Sequence, residues 1–318
     1  MTIGESKMNN YVAAKSRANV SVGESVRIMR ELQELSQNDL ASLTKILASL
    51  PLIMKAEEEQ KIPLSASLEE VLPSFRNSNK ASASMVEILS HYAKLKAWIP
   101  FYTLTKDSIT GENSSKFYRT KKTGRFNVKV AENLYIRKSY KDSIYKYIKE
   151  VDQREREGYK YSDLGYYLFK EILEEKYNKS LNNLAENSFY KPLGANRMTY
   201  LPLKKFSKSV IVPTEKDDYY RNQLIHGHVH DMGAAMLGGV SGHAGLFSNA
   251  KELAVIYQML LNGGSYGGQQ YISPETIKLF TTRYHESSRR GLGFDMKELE
   301  SQKTQNMSEL ASKNTYGH

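Results

Sequence analysis

The chain has 318 residues, 40% hydrophobic and 25% charged, an ordinary globular balance with room for one large domain or two small ones. It has no cysteine, which excludes disulfides, thiolate catalysis and thiolate metal sites. The net charge of +10 is uneven: residues 106–160 hold 15 Lys and Arg against 8 Asp and Glu. That segment, also rich in tyrosine, reads as a solvated basic insertion; nucleic-acid binding is the weaker reading, because no nucleic-acid fold signature accompanies it.

In chain order, the amino end lacks the apolar core and cleavage pattern of a signal peptide. No run approaches the roughly 18–20 apolar residues that span a bilayer. Residues 21–36 read as an amphipathic helix: Val22, Val26, Met29, Leu32 and Leu35 recur every three or four positions, and Ser21 with Glu24 has capping-box spacing. After a polar break, residues 39–54, "DLASLTKILASLPLIM", read as a buried helix that Pro51 should kink or divide. Residues 65–105 suggest short helical pieces, and residues 163–178 regain helical spacing after the basic segment. Residues 205–232 look irregular, and the glycine-rich stretch 233–248 suggests a tight loop close to a neighbour. Ser248 is placed to cap a helix ending near Gly263, Ser273-Pro274-Glu275 opens another short helix, and the polar tail 297–313 reads as a loop. Strand signals are scarce throughout.

Ser42 and Lys45 share one face of the apolar helix. Ser-x-x-Lys also occurs at Ser143/Lys146 and Ser188/Lys191, but only the first pair leads into a long apolar helix able to hold both side chains out of water. A serine hydroxyl needs a base to become a nucleophile, and a desolvated lysine can be one. The serine's own N–H at a helix start can stabilise an oxyanion. The plainer alternative is a helix start with one solvated lysine. Tyr161-Ser162-Asp163, at the next long helix, offers a phenol as a second proton-handling group. Lys122-Thr123-Gly124 has the letters of a Lys-x-Gly edge strand but falls between the other motifs, so it reads as a decoy. His226, His228 and His230, with Asp231 and His243 nearby, alternate as zinc ligands on an extended segment would. Their spacing fits no common zinc signature, and neither metal nor cofactor is expected.

Together, "DLASLTK", "YKYSDLGYYL", "HGHVHDMGAAMLGGVSGHAGLFSNAKELA" and "RRGLGFD" resemble the serine beta-lactamase-like hydrolases, the superfamily of class C beta-lactamases, D,D-peptidases and esterases. More closely, they resemble the carboxyl-terminal hydrolase module of bacterial beta-N-acetylglucosaminidases of glycoside hydrolase family three. The resemblance covers residues 39–318, the basic insertion at 106–160 included, and leaves residues 1–38 as a helical extension of unknown role. It implies an α/β, beta-lactamase/transpeptidase-like fold, mostly helical, with an incomplete antiparallel sheet. It implies Ser42 as the acylated nucleophile, Lys45 as its proton partner and Tyr161 as the second proton shuttle. His318 would begin the family's His-x-Gly strand, and Asp163 would be a substrate-binding group.

Asp163 stands where the family has asparagine. A carboxylate only accepts hydrogen bonds, whereas an amide also donates. If ionised, it favours ammonium at Lys45 and leaves more of the proton transfer to Tyr161 or to substrate. The family's sheet has strands before the Ser42 motif and after His318, so the domain is expected to be truncated at both ends, with a partner chain completing the sheet. The implied reaction is acyl transfer from an amide, ester or beta-lactam to Ser42, followed by hydrolysis, on a small-molecule or peptide substrate related to peptidoglycan. The alternative is a catalytically inactive remnant or a binding module. Neither nucleic acid nor membrane is expected as a partner. No compartment is assigned, although the resembled modules are usually periplasmic or exported.

Overall fold

The computed structural model describes residues 43–286, 288–297 and 315–317. Ser42, His318, the helix expected at 21–36 and the tail residues 298–314 lie outside the described residues, all of which belong to one unit, Gln37–His318.

The apolar run is a buried helix, and Pro51 shapes it. A π turn, Lys45–Ser49, leads into α1 (Leu50–Glu58). Leu50 donates its N–H to the Lys45 carbonyl, five residues back. Pro51 has no N–H for the carbonyl of Leu47, four residues back, and the helix widens around that gap. The Tyr190 hydroxyl donates to the Leu47 carbonyl at 3.0 Å. Ile46, Leu47, Leu50, Leu52, Ile53 and Met54 are at most 1% exposed. Each such side chain contributes about 1.5–3 kcal/mol relative to leaving it in water.

Two short helices follow, α2 (Leu68–Val71) and α3 (Met85–Leu89), each opened by a capping box, Ser67 with Glu70 and Ser84 with Glu87. β1 (Tyr118–Arg119), β2 (Phe126–Ala131) and β3 (Leu134–Arg137) form an antiparallel sheet in the order β1-β3-β2, and α4 (Tyr140–Glu150) comes next. The basic segment is therefore more than a solvated surface. Ile136, Ile144 and Ile148 are fully buried. The Tyr140 hydroxyl donates to the Phe101 carbonyl at 3.0 Å, and the Tyr118 hydroxyl lies 2.7 Å from that of Thr105 and 3.1 Å from that of Tyr220. Lys116, Arg119, Lys121, Lys122, Arg125 and Lys138 take the exposed positions.

α5 (Leu164–Tyr177) packs against α1; its first part, Leu164 to Phe169, is apolar and buried on every side, and Ile172 and Leu173 continue the buried face while charged residues take the other. It ends on Asn178 in the left-handed conformation, φ 49°. α6 (Leu181–Ala185) runs into a second π turn, Glu186–Tyr190, and β4 (Thr199–Tyr200) follows. The stretch expected to be irregular contains a hairpin, β5 (Pro213–Asp217) with β6 (Gln223–His226). Polar turn chemistry builds it: Asp217 Oδ1 accepts from the N–H groups of Tyr219, Tyr220 and Arg221 at 2.8–3.2 Å, and Arg221 Nε pairs with Asp217 Oδ2 at 2.6 Å.

The glycine-rich stretch begins as a short helix, α7 (Met232–Met236), before it loops to β7 (Leu246–Phe247), which pairs with β4. α8 (Ala250–Leu261) is capped by Asn249, whose side chain accepts from the Glu252 N–H at 3.1 Å, not by Ser248. Asparagine at the cap reaches the third amide of the helix as well as serine does. β8 (Ser265–Tyr266) and β9 (Gln269–Gln270) form a hairpin. α9 (Pro274–Phe280) is capped by Ser273, as the sequence predicts. β10 (Asp295–Met296) pairs with β11 (Tyr316–Gly317). Among the described residues the strands make five small antiparallel sheets, so the expected mostly helical α/β class with an incomplete antiparallel sheet holds.

Candidate active site

Lys45 opens the π turn and is 3% exposed. Its Nζ lies 3.0 Å from Asp163 Oδ1 and 3.5 Å from the carbonyl of His243. It also sits 5.4 Å from the ring centre of Tyr161 and 5.7 Å from that of Tyr166. The adjoining Thr44 hydroxyl accepts from the Leu246 N–H at 3.2 Å, tying the start of this helix to β7.

Local hydrogen bonds aim Tyr161 and Asp163. Ser162 Oγ accepts from the Leu164 N–H at 3.1 Å and donates to the Lys96 carbonyl at 2.6 Å. The Ser162 N–H donates to His91 Nδ1 at 3.3 Å, and the Asp163 N–H donates to the Ala97 carbonyl at 3.0 Å. Asp163 has no capping bond of its own at the start of α5, so its carboxylate turns to Lys45. Burial pushes the Tyr161 phenol well above its usual range, and the Asp163 charge adds to this. The Arg290 guanidinium, 5.4 Å from the Tyr161 ring centre, opposes both. The phenol therefore stays protonated at neutral pH.

A second network backs Lys45. His243 Nε2 lies 2.9 Å from Asp231 Oδ1, its Nδ1 lies 2.9 Å from Ser241 Oγ, and its ring stacks on Tyr167 with centroids 4.3 Å apart. Burial would raise the Asp231 carboxyl, but the His243 ring, a hydrogen bond from the Ala234 N–H and the charge of Lys45 bring it down to about 2. Ser241 is fully buried, so this Ser–His–Asp set is shut away from any substrate. The glycines allow the close approach. A Cβ on Gly242 would lie 2.1 Å from the Tyr166 carbonyl oxygen, and one on Gly233 would lie 1.8 Å from the Tyr167 hydroxyl.

The structure thus brings Lys45, Tyr161 and Asp163 together. Ser42 and His318 lie outside the described residues, although the two residues before His318 form β11. Lys122-Thr123-Gly124 occupies an exposed loop between β1 and β2. The alternating histidines do not converge. His226 Nε2 meets the Ile211 carbonyl at 2.5 Å, and His230 Nδ1 faces Glu215 at 3.1 Å. Burial, with the charge of Lys129, pushes His228 down to about 4. Among the described residues no group of three His, Cys, Asp or Glu is placed to hold a metal ion. The sequence reading missed the roles of His91, Arg290 and the Asp231–His243 pair beside these groups. The one available signal was His243 within the glycine-rich stretch, a buried polar group that required a partner.

A family model described as "Beta-lactamase" matches residues 25–318. A protein of Escherichia coli (strain K12) named "Putative D-alanyl-D-alanine carboxypeptidase" is 41% identical over 170 residues, 50% of this chain and 39% of that protein. One of the same name from Salmonella gallinarum is 31% identical over 298 residues, 88% of this chain and 63% of that protein. The chain therefore spans less than two thirds of the length of these curated relatives. Among solved structures, the octameric penicillin-binding protein homologue from Pyrococcus abyssi aligns at a TM-score of 0.54 with 17% identity, covering 80% of this chain and 52% of that one. A class C beta-lactamase aligns at 0.51 with 16% identity, covering 80% of this chain and 59% of that one. At these identities the structural likeness concerns the fold.

Proposed function

Because the chain belongs to the beta-lactamase family, we propose that it is a serine hydrolase that transfers an acyl group to Ser42 from an amide, ester or beta-lactam and then to water. The supporting observation is the convergence of Lys45, Tyr161 and Asp163, with Lys45 Nζ 3.0 Å from the carboxylate, three residues beyond Ser42 in the chain. Ser42 Oγ attacks the carbonyl carbon, and its backbone N–H receives the oxyanion. The Tyr161 phenol passes its own proton to the leaving nitrogen or oxygen while it takes the proton of Ser42, so no free phenolate forms. Water then attacks the acyl-enzyme, the protons return by the same route, and Ser42 is released. Asp163 accepts a hydrogen bond from a substrate N–H, and His318 begins the strand beside which the substrate lies. The names of the relatives point to peptides ending in D-alanyl-D-alanine as substrate. Kinship with the glucosaminidase-associated module is a finer part of this proposal, and would place the reaction in cell-wall turnover.

The test is intact mass after incubation with a labelled penicillin and with a fluorophosphonate, on wild type and on Ser42→Ala. One adduct on wild type, absent from the variant, supports the reading. No adduct from either probe on folded protein rejects it. The second reading is an inactive binding module. The Lys45–Asp163 ion pair favours it, because it ties up the group that would act as base.

A further inference from the structure

We propose that the basic segment holds a binding pocket for a compact, multiply charged phosphate ester or diphosphate. A cavity of about 610 Å³ opens among β1, β2, β3 and the start of α4. Its lining includes Lys116, Arg119, Arg125, Arg137, Lys138 and Lys141, against one acid, Asp142. None of these residues belongs to the Lys45 site.

The fold concentrates these charges deliberately through backbone bonds. The Arg137 N–H donates to the Phe117 carbonyl at 3.0 Å, and the Lys138 N–H donates to the Arg125 carbonyl at 2.9 Å. These two bonds draw the end of β3 between the segments around residues 116–119 and 125, so cations from separate stretches face one space. Two guanidinium groups are held in place. Arg137 Nε donates to Ser139 Oγ at 3.0 Å. Arg119 donates to the carbonyls of Ser115 and Tyr118, and lies 4.3 Å from the ring centre of Phe126. Lys141 is already paired with Glu171 at 2.9 Å. Five cations then remain against Asp142 alone.

Like charges gathered this closely repel one another, and a ligand of several negative charges removes the cost. A monocarboxylate brings one charge. A phosphate ester or diphosphate brings two or more, with oxygens that suit a planar guanidinium. The volume exceeds what inorganic phosphate needs and falls within the range of roughly 300–1,000 Å³ typical of small-ligand sites. Phe126, also in the lining, offers apolar surface to an organic portion. A single concavity suits such a ligand better than an extended nucleic-acid strand.

The test is calorimetric titration of the full chain with sodium pyrophosphate, with glucose 1-phosphate, with acetate and with a single-stranded oligonucleotide. Both phosphates should bind with salt-sensitive affinity, and acetate should not. The Arg125→Gln/Arg137→Gln variant should weaken both phosphates by about tenfold or more. Lys138→Gln, at an exposed position, should weaken them by a smaller, measurable factor, and decides the matter if the double variant fails to fold. Absence of phosphate binding at millimolar concentration overturns the proposal, as does binding that neither variant changes. Oligonucleotide affinity that grows with strand length, above that for pyrophosphate, overturns it in favour of nucleic acid.

Discussion

Replacing Asp231 by asparagine isolates the charge in the network behind Lys45. Burial alone would raise this carboxyl, but the facing His243, the Ala234 N–H and the charge of Lys45 bring it from 3.8 to about 2. A carboxyl held low in the folded chain contributes stability that is complete well above 3.8 and is lost as pH falls through about 2. The difference corresponds to about 2 kcal/mol at neutral pH. Asparagine keeps an oxygen for the Ala234 N–H, 2.7 Å away, and caps a helix about as well as aspartate, so the loss reports the charge. Urea unfolding of wild type and Asp231→Asn should therefore differ by about 2 kcal/mol at pH 7, by about half of that at pH 3, and by little at pH 2. A gap that stays constant from pH 7 to pH 2, or no gap at pH 7, would refute the electrostatic account of this network.

Asp163→Asn removes the carboxylate 3.0 Å from Lys45 Nζ and should quicken Ser42 acylation, on the order of tenfold, with a changed pH–rate profile. Superimposable profiles measured by stopped-flow acylation would count against the proton route through Tyr161. Gly242→Ala would put a methyl group 2.1 Å from the Tyr166 carbonyl oxygen and should cost about 1–3 kcal/mol of stability, visible as a lower urea midpoint. Tyr190→Phe removes the donor to the Leu47 carbonyl and should cost about 1–3 kcal/mol, because that buried acceptor has no N–H of residue 51 to turn to. A thermal midpoint equal to that of wild type would show that another group satisfies it.

The helices were legible where apolar spacing and end signals agree. α5 has dense apolar positions, and α9 has Ser273 before a proline at its first turn. The β5–β6 hairpin was not, because its turn rests on the Asp217 and Arg221 side chains rather than on alternating apolar residues. Pro51 announced a disturbance in the first helix, but the partner that completes it, Tyr190, lies 143 positions away and leaves no local sign. The same holds at the site. Tyr161 and Asp163 stand out within one short motif, whereas His243 reaches Lys45 across 198 positions. The alternation of His226, His228 and His230 carried little information for a related reason: residue order sets which way side chains leave an extended chain, but the surrounding elements decide what each one meets.

Ser162 Oγ takes the first N–H of α5, which leaves the Asp163 side chain free of capping. The carboxylate instead faces the buried Lys45 ammonium 3.0 Å away, so exchanging it for an amide leaves the capping intact and acts on that ion pair. An alteration at this position is felt by the buried cation that pairs with it, so reactivity and stability change there together.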